Sequence, residues 1–208
     1  MKKLALLINA IFACAFLQAQ EPEFPKGANG EIELSEVVTT DLTKDKMFSN
    51  FKRWVGAEFG QVYEAIQFED EDSGSITATL RIKAGQTSLN KKDVTTDMTF
   101  TIVVDCKDNK YRYIIKDVLI HGRVFGGGGL APRFYNDTPY RHFKHVEQYE
   151  QKRGLLQAKS NPTAEELKDI AFYDSEIERE KTLFNSEYSA LMNCISSLKK
   201  GMVFNSDF

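Results

Sequence analysis

The sequence predicts an α+β domain: an antiparallel sheet with helices on one face. Three observations predict it. Ser75 to Lys83 and Met98 to Cys106 alternate apolar and polar residues with a period of two. Lys44 to Phe59 carries its apolar residues at helical spacing. Phe184 to Leu198 carries a second, dense helical stripe. Composition fits a globular chain, with 42% hydrophobic and 27% charged residues among 208. The 13 Gly and 5 Pro exclude a collagen-like or low-complexity chain, and 27 basic against 30 acidic residues give no global reason to bind nucleic acid.

The first 19 residues read as a secretory signal peptide. Lys2 and Lys3 precede an apolar run from Leu4 to Leu17, which ends in Gln18, Ala19 and Gln20. About 14 residues fall short of the roughly 20 that span a bilayer. Cleavage after Ala19, or one residue later, leaves 189 residues, and losing two lysines moves the net charge from −3 to −5. A rival reading lipidates Cys14, although that residue sits inside the apolar run. The product is expected in the periplasm or outside the cell, and no later stretch is long enough to span a membrane.

Residues 20–31, with Pro22, Pro25, Gly27 and Gly30, read as a flexible leader. Ile32 to Val38 suggests a first strand. The helix that follows is capped by Thr43 or Asp45 and stopped by Gly60, and its Met47, Phe48, Phe51, Trp54, Val55 and Phe59 form one stripe. Core packing accounts for Trp54 better than a ligand platform does. Four strands are expected next: Val62 to Phe68, Ser75 to Lys83, Met98 to Cys106 and Tyr111 to Ile120. The acidic turn Glu69 to Gly74 lacks the register of a calcium loop. Arg123 to Pro139, with Gly126 to Gly129, reads as a loop without the Lys-Ser/Thr of a phosphate loop. Residues 123–183 form a loop and a charged helical insertion, with a stop at Asn161-Pro162-Thr163 and a hairpin of the two helical stretches. Residues 184–208 supply a helix that packs on the sheet, and a tail.

Several residues carry a resemblance. They are the Phe51-x-x-Trp54 helix after the Val37-Val38 strand, the acidic turn before Ser75-Ile76-Thr77-Ala78, and the Asp108-Asn109-Lys110-Tyr111-Arg112-Tyr113 hairpin. From Leu34 to Gly122 the chain resembles a family of exported bacterial domains of unknown function with a TATA-box-binding-protein-like (TBP-like) fold. The resemblance implies β-α-β-β-β-β-α order and a curved sheet, with residues 32–122 as the core and 123–183 as an addition. It implies no activity, and the namesake's DNA binding does not transfer.

No catalytic constellation stands out, so a non-enzyme is expected, without a cofactor. His142 and His145, with Glu147 or His121 as a third, could supply metal ligands, but the neighbouring Arg141 and Lys144 favour an exposed polar face. Cys106 and Cys194 fall on core faces, as separate buried thiols or as a possible disulfide. The outer sheet face, with Thr77, Thr79, Arg81, Lys83, Thr99 and Thr101, is the candidate binding surface, weighed against an antiparallel sheet that simply keeps one face wet. The expected function is an exported binding or interaction module for an envelope protein or an extracellular ligand. The alternative is a carrier holding an apolar ligand between sheet and helices. The helical extension is a possible homodimer surface.

Overall fold

The computed structural model describes residues 23–28, 30–60, 62–89, 92–125 and 133–204. Residues 1–19, expected to be a signal peptide, with Cys14 among them, and the glycine run Gly126 to Gly129 lie outside the described residues. The chain runs β1 (Leu34–Thr39), α1 (Lys44–Phe59), the single turn α2 (Val62–Ala65), β2 (Ile66–Asp70), β3 (Ser75–Leu89), β4 (Lys92–Lys107), β5 (Lys110–Phe125), β6 (Arg133–Asp137), α3 (Arg141–Gln157) and α4 (Ala164–Met202). The sheet is antiparallel, in the order β1-β5-β4-β3-β2, with β6 on the far half of β5. Among the described residues no helix is long and apolar enough to cross a membrane.

The alternation in β3 and β4 decides which face is inside. Ile76, Ala78 and Leu80 lie opposite Val104, Ile102 and Phe100, and all are buried. In β5 the buried positions change parity, from Tyr111, Tyr113 and Ile115 to Val118 and Ile120. A β-bulge makes this possible: Thr99 faces Leu119 but Thr101 faces Lys116, so β5 carries an extra residue, and Asp117 takes a left-handed φ of 55°. Without it, half the strand would turn its apolar side chains to solvent.

Helices α1 and α4 cover the inner face. Thr43 caps α1 by accepting from the Lys46 amide, and Gly60, with φ of 74°, ends it by donating to the Gly56 carbonyl. Met47, Phe48, Phe51, Trp54 and Val55 are buried, each contributing about 1.5–3 kcal/mol through removal from water. Two polar side chains join α1 to α4. Asn50 Nδ2 donates to the carbonyls of Met202 (2.8 Å) and Phe204 (3.0 Å), satisfying acceptors at the helix end. Trp54 Nε1 donates to Ser197 Oγ at 3.1 Å. The indole lies so close to Gly201 that an added Cβ would sit 2.8 Å from Trp54 Cδ1.

Four expectations change. The leader is not wholly flexible: Phe24 is 1% exposed, edge-on to the rings of Phe184 and Tyr188, and Lys26 bridges to Ile32. Val62 to Phe68 is not one strand, because its first four residues turn as α2 and bury nothing. Arg123 to Pro139 is not all loop: β5 runs on to Phe125, and Arg133–Asp137 pairs with it as β6. The helical insertion and the C-terminal helix are one unbroken helix of 39 residues, opened by a Thr163/Glu166 capping box.

Candidate functional site

The outer face of the sheet is built by residues of the opposite parity. Thr79, Arg81 and Lys83 on β3 are exposed, and Thr77, Thr99 and Thr101 are half-buried by their neighbours. All six residues named from the sequence share this face, and no described segment lies over it. The β-ladders align Ser35, Ile114, Val103, Thr77 and Phe68 in one row across five strands. Beside that row Lys116 lies opposite Thr101, which lies opposite Thr79. Leu119, Thr99 and Arg81 make the next row, then His121, Asp97 and Lys83.

Charge on this face is uneven. Arg81 Nη2 binds Asp97 Oδ2 at 2.7 Å, with Arg123 at 3.8 Å from the same oxygen. Arg112 Nη2 binds Asp105 Oδ2 at 2.6 Å, and Ser75 Oγ donates to Asp105 at 2.9 Å. Thr99 Oγ1 and His121 Nε2 are 2.7 Å apart. Among the described residues Lys83 and Lys116 make no ion pair, so the strands present Arg81, Lys83, Arg112, Lys116 and Arg123 against Asp70, Asp97 and Asp105. A net cationic face on a net anionic chain attracts anionic groups.

A second concentration of polar groups lies between α3 and α4. His142, expected on an exposed face, is 1% exposed. Its Nδ1 is 2.6 Å from Glu180 Oε2 and its Nε2 is 2.9 Å from Glu187 Oε2. Arg179 Nη2 contacts Glu176 Oε2 (2.7 Å) and Glu180 Oε1 (2.8 Å). Burial alone would lower the His142 pKa, but hydrogen bonds to Glu180 and then Glu187 raise it above the ordinary value, which favours the imidazolium. Burial would raise Glu180; His142 and Arg179 instead hold it at about 2. Both ring nitrogens are taken by carboxylates, so the ring is a bridge between two anions. His145 approaches Glu180 at 3.4 Å from its half-exposed position, Glu147 accepts from Gln151, and His121 is on the sheet. Among the described residues no three such groups converge as metal ligands.

The sequence contained a signal for this cluster. Glu180 and Glu187 occupy the phase of the apolar stripe Ile177, Phe184, Leu191, Ile195 and Leu198. A carboxylate in a buried stripe requires a buried partner.

Cys106 and Cys194, the cysteines among the described residues, are free thiols, pushed up to about 12 by burial. The possible disulfide is not present, for a geometric reason. The Cys106 carbonyl lies against Gly74 and Lys44 at the start of α1, whereas the Cys194 thiol senses Glu58 at its end. Lys44 and Glu58 are about 21 Å apart along the helix, against the roughly 4–7 Å Cα separation a disulfide needs. The acidic turn Glu69 to Gly74 also has its own cation, since Lys44 Nζ donates to the carbonyls of Glu71 (2.7 Å) and Asp72 (3.1 Å). Trp54 is 4% exposed and belongs to the core. On the helical extension, the surface considered for a homodimer, Leu155, Leu167 and Phe172 are exposed.

Comparison with known proteins bears on the sheet and α1. Residues 35–120 match the model of a family described as a domain of unknown function (DUF4468) with TBP-like fold. No curated protein matches the chain. Among solved structures the chain is similar to a TBP-like protein from Parabacteroides distasonis, with 14% identity and a TM-score of 0.50, over 88% of this chain and 96% of that one. It is also similar to a DUF4468 family protein from Bacteroides ovatus, with 12% identity and a TM-score of 0.42, over 94% and 97% of the two chains. At 14% identity the likeness to the Parabacteroides distasonis protein is one of fold alone. What the comparison identifies is thus a segment: residues 35–120, which hold the Phe51/Trp54 helix and the 108–113 hairpin, match the family of domains of unknown function with a TBP-like fold.

Proposed function

We propose that this protein is an exported, non-enzymatic interaction module that docks an acidic partner protein on the outer face of its sheet. The observation that carries the reading is the uncovered cationic face, where among the described residues Lys83 and Lys116 make no ion pair and Lys116 stands one row from Ile114, Val103 and the exposed Phe68. Charge of this kind steers an anionic partner and sets its orientation, while the apolar row supplies area to bury. The interface between sheet and helices, where an apolar ligand was the alternative, is filled by Met47, Phe51, Met98, Phe100, Ile102, Leu191 and Leu198. Export rests on the pattern of residues 1–19.

A labelled polyglutamate peptide tests the docking reading. Fluorescence anisotropy should report binding that weakens with added salt, and Lys83→Glu with Lys116→Glu should weaken it about tenfold. No binding at low salt, or binding indifferent to the double reversal, would overturn it. N-terminal sequencing of the protein from cells should begin at Gln20 or Glu21, and an intact Met1 would overturn export.

A further inference from the structure

Strand β3 is paired with β4 along its length, but on its other side β2 reaches only from Ser75 to Ala78. The partner strand starts at Ile66 because residues 62–65 turn as α2 instead of extending it. Five residues, Thr79 to Lys83, therefore have no described strand beside them. At the far end Ser186 Oγ donates to the Ala84 carbonyl at 3.0 Å and closes the edge. Between these limits lies a slot of about 530 Å³, lined by Thr79 to Lys83 and walled by the end of α1 and by α2.

An unpaired edge offers a row of backbone donors and acceptors, and five residues span about 17 Å, the length of an ordinary short strand. The two sides of the slot differ. Toward the helices lie the partly buried apolar side chains of Phe59, Ala65 and Ile82, with the carboxyl groups of Glu58 and Glu64 at the wall; toward the outer face lie Lys83 and Arg81, the latter paired with Asp97.

We propose that this slot accepts an extended peptide from the partner, added as a strand to β3, with apolar and acidic residues alternating along it. This rests on the docking function above and states the form the partner takes. A strand's side chains alternate, so one set falls over Phe59, Ala65 and Ile82 and the other beside Arg81 and Lys83. Two other occupants fit worse. A second copy, paired antiparallel about Arg81 or Ile82, sets Arg81 against Arg81 or Lys83 of its mate, and like charges directly opposite are destabilising. The chain's own residues 62–65, continued in register from Ile66 opposite Ala78, would set Glu64 against Leu80, whose side chain is on the buried face.

Hydrogen exchange followed by NMR on the intact mature chain tests the inference, with a hexapeptide alternating valine and aspartate as probe. Within Thr79 to Lys83 every second amide points to β4 and the others to the open edge; the edge-directed amides should exchange fast in the free protein and about tenfold more slowly with the peptide. The protection should vanish when alternate peptide amides are N-methylated, and when lysine replaces aspartate. Slow exchange of the edge-directed amides in the free protein would mean that the edge is already occupied by the chain itself or, if it tracks protein concentration, by a second copy; either result overturns the proposal. Polyglutamate binding that survives while the hexapeptide leaves these amides unprotected overturns the strand addition alone. Loss of both overturns the docking function as well.

Discussion

From Leu191 onward α4 meets the sheet and α1 through Leu191, Ile195, Leu198 and Met202, all buried, and the polar contacts, the Asn50 and Trp54 hydrogen bonds, Ser197 to Glu58 and the Lys199–Glu36 ion pair, lie around that apolar centre. Between Glu176 and Glu187 the same helix turns three carboxylates inward, toward His142 on α3 and its own Arg179. The first region is held mainly by packing, which has little sensitivity to pH or salt; its titrating link is Glu36, whose carboxyl Lys199 and then Tyr113 hold below the usual range. The second is held by ions whose removal from water is offset only while each keeps its partner. One helix thus joins two units with different vulnerabilities, and measurements that perturb one unit should leave the other readable.

The largest effect is expected in the sheet unit. Phe51→Ala opens a cavity beneath fully buried neighbours and should cost about 4 kcal/mol in urea unfolding, with loss of the whole structure. A cost under about 1 kcal/mol would show that α1 is not part of the cooperative core. Next is His142→Ala, which leaves Glu180 and Glu187 buried without the cation between them; about 3 kcal/mol is expected. The comparison requires that loss to appear as faster amide exchange in α3 and the first half of α4, with the β4 amides unchanged. Equal acceleration in both would merge the two units.

Acidity separates them without mutation. His142 has a raised pKa, so its stabilisation is fully present below 6.5 and is lost as pH rises through its folded value. Glu180 is depressed to about 2, so its contribution is present above 4.5 and fades as pH falls toward 2. Protection of the α3–α4 hairpin should therefore be greatest between 4.5 and 6.5 and fall on both sides. The partners that face His142 are Glu180 and Glu187 from α4 and Arg141 from α3, with Arg179, Glu176, His145 and Tyr149 around Glu180. Sheet amides corrected for intrinsic exchange should show no such maximum. The smallest effect belongs to Thr163→Ala, which removes the cap of α4 and should cost about 1 kcal/mol, confined to fraying of the first turns near Ala164.

What could be read from the sequence follows the same division. In β3, β4 and α1 nearly every polar position is also a solvent position, with Asn50 and Thr96 the buried exceptions, so periodicity alone locates the face, the core and the six outer-face residues. Reading failed where tertiary structure overrode local preference. The segment Val62 to Ala65 has strand-forming residues but turns as a helix, and the unpaired edge it leaves is invisible without the register of β2. Strand β6 is five residues with no clean alternation, formed because β5 extends past β1 and offers an edge. The partners of His142 lie 38 and 45 residues downstream. Phe24 was hidden by the Pro and Gly around it.

The length of α4 has a mechanical consequence. Leu191 and Ala164 are 27 residues apart on an uninterrupted helix, a shaft of about 40 Å at 1.5 Å per residue. Such a shaft converts angle into displacement. A tilt of about 5° where it is seated on the sheet would swing the far end through roughly 3.5 Å. Ser186, bonded to Ala84 at the closed end of the β3 slot, is only five positions from Leu191, close to that fulcrum. Strain applied at the edge strand would thus be felt as travel at the tip of the hairpin.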